Sequence, residues 1–376
     1  MRILFITQVV PFPVRGGESL RSNGLLKCLL KSGYELLVIS PLSPDTPGLA
    51  GYFPGIQFIS HVFIPEKISR LGEFAGYFKR DKKLIRLLDD ILQTQDIDIT
   101  ILDYFFLGQY ISYFIDKGIH VMYGTHNAQS KLRMQQPADG IMEKIVRLFS
   151  FLAQAWHERI YFKRADQVIC VSEIDRKFYR RFIPERKISI IPNFVDETLY
   201  KPAIEKRPYI IMTGNFESFQ NYHGLEWFVN SVWNDELSGI TELYLVGRGA
   251  AVAVSLISKG REINRVKVIE NQNDILKYLA FASAAIVPLW HGSGTRLKCI
   301  EAMAIKTQLI STTIGAEGIN HGGSILIADN PVLFRSYIRN ALNGTSNHTD
   351  MAYRVFIENY SSAINKTRLD NIILSL

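Results

Sequence analysis

Residues 2–40 read RILFITQVVPFPVRGGESLRSNGLLKCLLKSGYELLVIS, and the order of residue types in them decides the fold class. Residues 2–7 form an apolar run broken only at its ends, the pattern of a parallel strand covered on both faces. A loop containing Gly16 and Gly17 follows. Leu20, Leu25, Leu26, Leu29 and Leu30 then recur at helical spacing over 19–32, and Gly33 stands where a helix would close. Residues 35–40 return to an apolar run. Strand, loop, helix and strand in that order make the repeating unit of a doubly wound parallel sheet.

The same order continues outward. Strands are expected at 99–102, 121–124 and 167–171, with helices over 69–93 and 141–163. The second of these helices carries Phe149, Phe151, Leu152 and Trp156. A strand over 188–193 ends at Pro192-Asn193, and the polar stretch 196–208 reads as a linker. The alternation then restarts, with strands at 209–213, 242–246, 266–269, 284–288 and 308–311 and helices over 225–233, 273–281 and 296–304. The expectation is an α/β chain of two Rossmann-like, doubly wound domains, over 1–196 and 197–358. A last helix over 359–376 is expected to pack back on the first. Two such halves would face each other across a cleft lined by the carboxyl ends of the strands, the edge where ligands bind.

Composition narrows the function classes. A chain of 376 residues, 47% of them hydrophobic, can fill the cores of two ordinary domains. Cys28, Cys170 and Cys299 are odd in number and lack C-x-x-C spacing, which argues against a disulfide framework or thiolate metal site and fits a reducing cytoplasm. The apolar start is too short for a signal-peptide core, and no stretch reaches the roughly 20 apolar residues of a membrane span. A net charge of +7 suits a polyanionic ligand or an anionic membrane surface. No basic tail or nucleic-acid motif accompanies it, so nucleic acid is not an expected partner.

The segment 291–304, HGSGTRLKCIEAMA, carries the chemistry. Small residues (Gly292, Ser293, Gly294, Thr295) let the backbone approach a ligand closely, and the helix after them offers unpaired N–H groups and a positive dipole end. Arg296 and Lys298 add fixed positive charge suited to phosphate. Glu301 lies on the same helix, from which its carboxylate could accept bonds from a ribose diol. A glycine loop before a helix is often only a turn; the charges in this order make it a phosphate site.

This string, followed by a strand and by Ile314-Gly315-Ala316-Glu317-Gly318, resembles the nucleotide-sugar signature of the family 4 glycosyltransferases (GT4), retaining enzymes of the GT-B fold. The resemblance extends over nearly the whole chain. Pro11-Phe12-Pro13 and Arg15-Gly16-Gly17 resemble the family's first glycine loop, and Thr125-His126-Asn127 its histidine motif. Ala165-Asp166 through Val171-Ser172 resembles the hinge-side strand, and Ile191-Pro192-Asn193-Phe194-Val195-Asp196 the segment before the linker. Val246-Gly247-Arg248-Gly249 matches the family's V-G-x-G. The resemblance implies transfer of a hexose from a UDP- or GDP-sugar to a growing glycan, free or lipid-linked, in surface polysaccharide assembly. It implies no metal and no cofactor beyond the nucleotide-sugar co-substrate. His126 would hydrogen-bond a hydroxyl of the donor sugar. Gly16 and Gly17 would present N–H groups to the donor phosphate or leave room for the acceptor, and Gly214, Asn215 and Gly247 would line the donor pocket.

Two departures bear on the sugar. Family members often carry Glu-x7-Glu, and here Ser293 stands at the first position, leaving only Glu301. The family's Arg and Lys after the first strand of the second domain are replaced by Gly214-Asn215-Phe216-Glu217-Ser218. Arg296 and Lys298 are then the expected diphosphate ligands.

Other features have blander readings. Asp96-Ile97-Asp98 mimics a metal-binding D-x-D pair, but it precedes the strand at 99–102 and so belongs at the amino edge, away from ligands. The basic region 68–92, with Lys79 and Lys83, fits a peripheral contact with an anionic membrane and, equally, a solvated helix with one apolar side. A hydrolase or epimerase on the same fold, a dehydrogenase and a non-catalytic nucleotide-sugar-binding protein are the competing functions. The dehydrogenase lacks G-x-G-x-x-G after the first strand.

Overall fold

The computed structural model describes residues 1–14, 16–63, 66–67, 78–126, 140–270, 275–292, 295–345 and 347–376. It divides into two compact units, Met1–Asn193 with Asn365–Leu376, and Phe194–Ile364.

The first unit is built on strands β1 (Arg2–Thr7), β2 (Glu35–Ser40), β3 (Gln57–Ser60), β6 (Ile99–Asp103), β7 (His120–Gly124), β8 (Gln167–Cys170) and β9 (Ile188–Ile190). Two short strands, β4 (Glu66–Lys67) and β5 (Phe78–Lys79), pair antiparallel with each other. The seven strands form one parallel sheet in the order β3-β2-β1-β6-β7-β8-β9. Ile3, Leu4, Phe5 and Ile6 are fully buried, as a strand covered on both faces requires. Register places Thr7 opposite Asp103, and Asp103 opposite Gly124, so the central strands end level and deliver polar groups to one carboxyl edge. The Gly17–Lys31 helix starts at that edge.

The second unit repeats the plan with β10 (Arg207–Thr213), β11 (Glu242–Val246), β12 (Val266–Ile269), β13 (Ala282–Val287), β14 (Gln308–Ser311) and β15 (Leu326–Ile327). They form a six-stranded parallel sheet, β12-β11-β10-β13-β14-β15. Two doubly wound α/β sheets are therefore present, as the sequence pattern implies.

Several elements differ from expectation. The helix expected at 225–233 runs over Phe219–Trp227 and continues as a π-helical turn, Phe228–Val232. Its first turn, Phe219–Tyr222, is exposed or half-buried and burial begins only at Gly224 and Leu225, so the core-facing period appears one turn late. Strand β3 has exposed ends and half-buried middle residues, an edge pattern with no alternation to read. Within 69–93 the described helix is Lys82–Thr94, capped by the Asp81 carboxylate accepting from Lys83 N at 2.8 Å and burying Leu84, Leu88 and Ile91. Residues 68–77 of that basic region lie outside the described residues. Three further helices, Pro331–Leu342, Thr349–Tyr360 and Ser362–Leu374, complete the chain.

Candidate functional site

In the second unit the carboxyl ends of β10 and β11 open into two loops that lock together. Gly214 N donates to Val246 O at 3.1 Å and Phe216 N to Arg248 O at 2.8 Å. The backbones approach so closely at Gly247 (φ 140°) that a Cβ there would overlap the Gly214 backbone. Gly247 therefore cannot carry a side chain without moving the Gly214 loop, while a Cβ on Gly214 would press on the Asn221 and Lys298 side chains. Asn215 closes the turn: its carbonyl accepts from Ser218 Oγ at 2.8 Å, and its side-chain oxygen from Glu217 N at 3.1 Å.

The Leu297–Ala304 helix approaches this junction with Arg296 at its N-cap and Thr295 just before it. The half-buried Lys298 donates from Nζ to Thr213 O at 2.6 Å and to Asn221 Oδ1 at 2.8 Å. A Cβ on Gly214 would sit 3.0 Å from that Nζ, so the glycine opens the space the ammonium reaches into. Burial pulls the Lys298 ammonium down to about 8. The Arg296 guanidinium folds back over the start of the loop: Nη2 donates to His291 O at 3.4 Å, and a Cβ on Gly292 would meet it at 2.8 Å. Burial lowers the Arg296 pKa too, yet the group stays a cation. Two cations are thus held at one loop.

Glu301 lies one turn beyond Lys298, and its Oε1 accepts from Tyr200 Oη at 3.3 Å. Burial pushes the Glu301 carboxyl up, against the opposing pull of the Tyr200 bond and the Lys298 charge. Phe219, His223 and His291 form a ring cluster beside the loop, with centroids 4.3 Å apart for Phe219–His223 and 5.2 Å for Phe219–His291.

The first unit brings a second group together at its own carboxyl edge. Asp103, at the end of β6, is fully buried and lies 3.0 Å from His126 Nε2 through Oδ1, while Oδ2 accepts from Ser22 Oγ at 2.5 Å. Burial penalises the Asp103 carboxylate, but the charge and hydrogen bond of His126, with Arg21 and Ser22, hold its pKa below the ordinary value. Arg21 is itself buried, donating from Nη1 to Ile191 O at 2.9 Å. His126 is packed edge-on against Tyr104 with ring centroids 5.5 Å apart. Gly16, with φ 90°, is the N-cap of the Gly17–Lys31 helix, which carries Ser22 and Arg21 into this group.

The expected residues fall into these two clusters. Gly214, Asn215, Gly247, Thr295, Arg296, Lys298 and Glu301 belong to the second unit's edge, and Gly16, Gly17 and His126 to the first unit's. Ser293 and Gly294 lie outside the described residues, as do Arg15 and Asn127. Asp98 sits at the amino edge, where its carboxylate accepts from Arg2 N at 2.7 Å. Among the described residues no group of three or more His, Cys, Asp or Glu could hold a metal ion. Four residues joined these clusters without a local signal: Asn221 and Tyr200 meet the helix from 77 and 101 positions away, and Asp103 and Ser22 meet across 81.

Comparison with known proteins follows the same division. The model described as Glycosyltransferase Family 4 matches residues 16–199, and that described as Glycosyl transferases group 1 matches 207–343. An uncharacterized 44.6 kDa protein in the cps region of Klebsiella pneumoniae is 25% identical over 242 residues, and the match spans 60% of this chain and 60% of that relative. Among solved structures, sucrose-phosphate synthase from Thermosynechococcus elongatus superposes with a TM-score of 0.74 at 16% identity, covering 100% of this chain and 98% of that one. HepE of Anabaena, solved in complex with UDP, gives 0.68 at 13% identity with both chains fully covered. WaaG, a glycosyltransferase involved in lipopolysaccharide biosynthesis, gives 0.65 at 13% identity over 99% of both chains. With both sheets, both motif clusters and both family models in register along its length, the chain belongs to the GT4-type glycosyltransferases of the GT-B fold.

Proposed function

We propose that this protein transfers a hexose from a UDP- or GDP-sugar to a growing glycan, with retention at the anomeric carbon, in cytoplasmic assembly of a surface polysaccharide. The observation that carries the reading is the buried Lys298 ammonium beneath Gly214, with Arg296 before it and Glu301 on the same helix. An ammonium has three protons, and Thr213 O and Asn221 Oδ1 take two. The third is assigned to the donor diphosphate, together with the Arg296 guanidinium. Glu301 is assigned the ribose diol. By the family resemblance Ser293, Gly294 and Thr295 are assigned to the donor sugar, and Gly214, Asn215 and Gly247 to the floor of the donor site. The reading assigns the diphosphate charge to Lys298 and Arg296 and gives no role to a metal.

In the reaction, the bond from the anomeric carbon to the diphosphate oxygen breaks. The acceptor oxygen bonds that carbon on the same face, and the acceptor proton passes to the departing phosphate. No protein base is required. The protein supplies orientation and stabilises the charge developing on the leaving group. His126, oriented by Asp103, is assigned a hydrogen bond to a donor-sugar hydroxyl, and Gly16 and Gly17 contact the donor phosphate or the acceptor. HepE in complex with UDP-glucose, WaaG and the cps-region relative support the donor class and the pathway.

The test is incubation with a panel of nucleotide sugars, scored for released nucleoside diphosphate with and without glycan acceptor. Release that depends on acceptor is expected. Equal release without acceptor would mean hydrolysis, and binding without release would mean a non-catalytic protein; either outcome contradicts the proposal.

A further inference from the structure

The Phe219–Trp227 helix begins at the carboxyl edge of the second sheet, and its first turn faces the loop that precedes Arg296: a Cβ on Gly292 would meet Gln220 Cγ at 2.9 Å. Phe219 is 44% exposed, and among the described residues of the second unit no other phenylalanine or tryptophan is left exposed. Its ring stands edge-on to His223, 4.3 Å between centroids, and tilted to His291 at 5.2 Å; the two imidazoles are 6.1 Å apart. Glu226 Oε2 lies 3.1 Å from His223 Nδ1, which fixes that ring and leaves its Nε2 without a partner among the described residues. His291 is exposed, and its ring makes no hydrogen bond to a described residue. A cluster that only filled the core would be covered. This one leaves an aromatic ring and unused ring nitrogens at the edge where ligands bind.

Order along the chain assigns the ligand. Glu301 is given to the ribose; Lys298, one turn nearer the helix start, and Arg296 at the N-cap are given to the diphosphate. Further back in the same direction lies the loop of His291 and Gly292, so the part of the donor beyond the diphosphate, its sugar, comes to the rings. We propose that Phe219, His223 and His291 form the wall that selects the donor sugar, the Phe219 ring stacking on the C–H face of the pyranose and the imidazoles hydrogen-bonding its hydroxyls. The inference rests on the nucleotide-sugar reading above and adds to it the residues that discriminate among sugars. A pyranose suits such a wall, because its ring faces carry C–H groups that pack on an aromatic ring while its rim carries hydroxyls. A neutral imidazole serves that rim with one donor and one acceptor. The wall also answers a loss: Ser293 stands where family members often carry Glu, and three side chains at other positions supply contact in its place.

The experiment is calorimetric titration of the full chain with UDP, GDP, UDP-glucose, UDP-galactose and GDP-mannose. The tightest-bound nucleotide sugar and its parent nucleoside diphosphate are then used with the variants. Phe219→Ala should weaken the nucleotide sugar about fivefold and leave the nucleoside diphosphate unchanged. Phe219→Tyr keeps the ring and should bind as wild type does. His223→Ala and His291→Ala should each weaken the nucleotide sugar about three- to tenfold, again without effect on the nucleoside diphosphate. That unchanged affinity also reports that each variant is folded. Nucleotide-sugar affinity untouched in all three alanine variants, or an equal loss for diphosphate and nucleotide sugar, would overturn the inference, while diphosphate binding by wild type would still support the transferase reading. Wild type that binds neither nucleoside diphosphate would overturn that reading and this inference with it.

Discussion

Lys298 concentrates the argument at the scale of one residue. Its ammonium is held under Gly214 by two acceptors and is pulled by burial to about 8, below the 10.5 of a free lysine. Two pH dependences of opposite sign follow. A lowered folded pKa means that the unfolded chain binds more protons between those values, so Lys298 contributes stability that rises as pH climbs from about 8 towards 10.5. The cationic form is the one that meets a diphosphate, so nucleoside diphosphate affinity should fall over the same interval, approaching about tenfold per pH unit. A terminal phosphate is already ionised throughout that range. Both slopes are read as the difference between wild type and Lys298→Met, by calorimetric titration and by chemical unfolding. A difference that is flat with pH would contradict the burial of the ammonium. Arg296, Lys298 and Glu301 were legible in the sequence because they share one short helix start. Their supports were not: Asn221 and Tyr200 reach them only through the tertiary fold, and Asp103 shows no local mark as the partner of His126.

At the scale of elements, the two sheets were readable because buried parallel strands are nearly continuous apolar runs. Ile3 to Ile6, and Ile210 to Met212, are fully or almost fully buried. Reading failed where burial is partial. Strand β3 is a half-exposed edge, and the Phe219–Trp227 helix begins with a turn that is not buried before Gly224 and Leu225 enter the core. That turn matters for the site, since it supplies Asn221, which fixes Lys298. The junction of β10 and β11 yields a prediction of its own. Gly214 has φ 149°, and a Cβ there would meet Asn221 Nδ2 at 2.9 Å and Lys298 Nζ at 3.0 Å. Gly214→Ala should therefore cost about 1–3 kcal/mol of stability, the range for small-to-large changes in a packed region, and should weaken nucleotide binding along with it. Urea unfolding and a nucleotide titration check both. An unchanged variant would mean that the close approach is not required.

At the scale of the molecule, each compact unit carries one polar cluster at the carboxyl edge of its own parallel sheet. That placement is the general rule for ligand sites on such sheets. The order of the motifs along the chain carried the family assignment. The long Ile141–Arg164 helix was legible as a helix, but the burial of Ser150, Gln154, His157 and Glu158 beside Phe162 was not, because burial on one side depends on what packs there. The central claim is that the Leu297–Ala304 helix start holds a nucleoside diphosphate through Lys298 and Arg296. The most direct measurement compares the affinities of the nucleoside diphosphate and its monophosphate for wild type and for Lys298→Met. The account predicts a strong preference for the diphosphate in wild type, reduced at least tenfold in the variant, with monophosphate affinity little changed. Equal preference in the two proteins would contradict it.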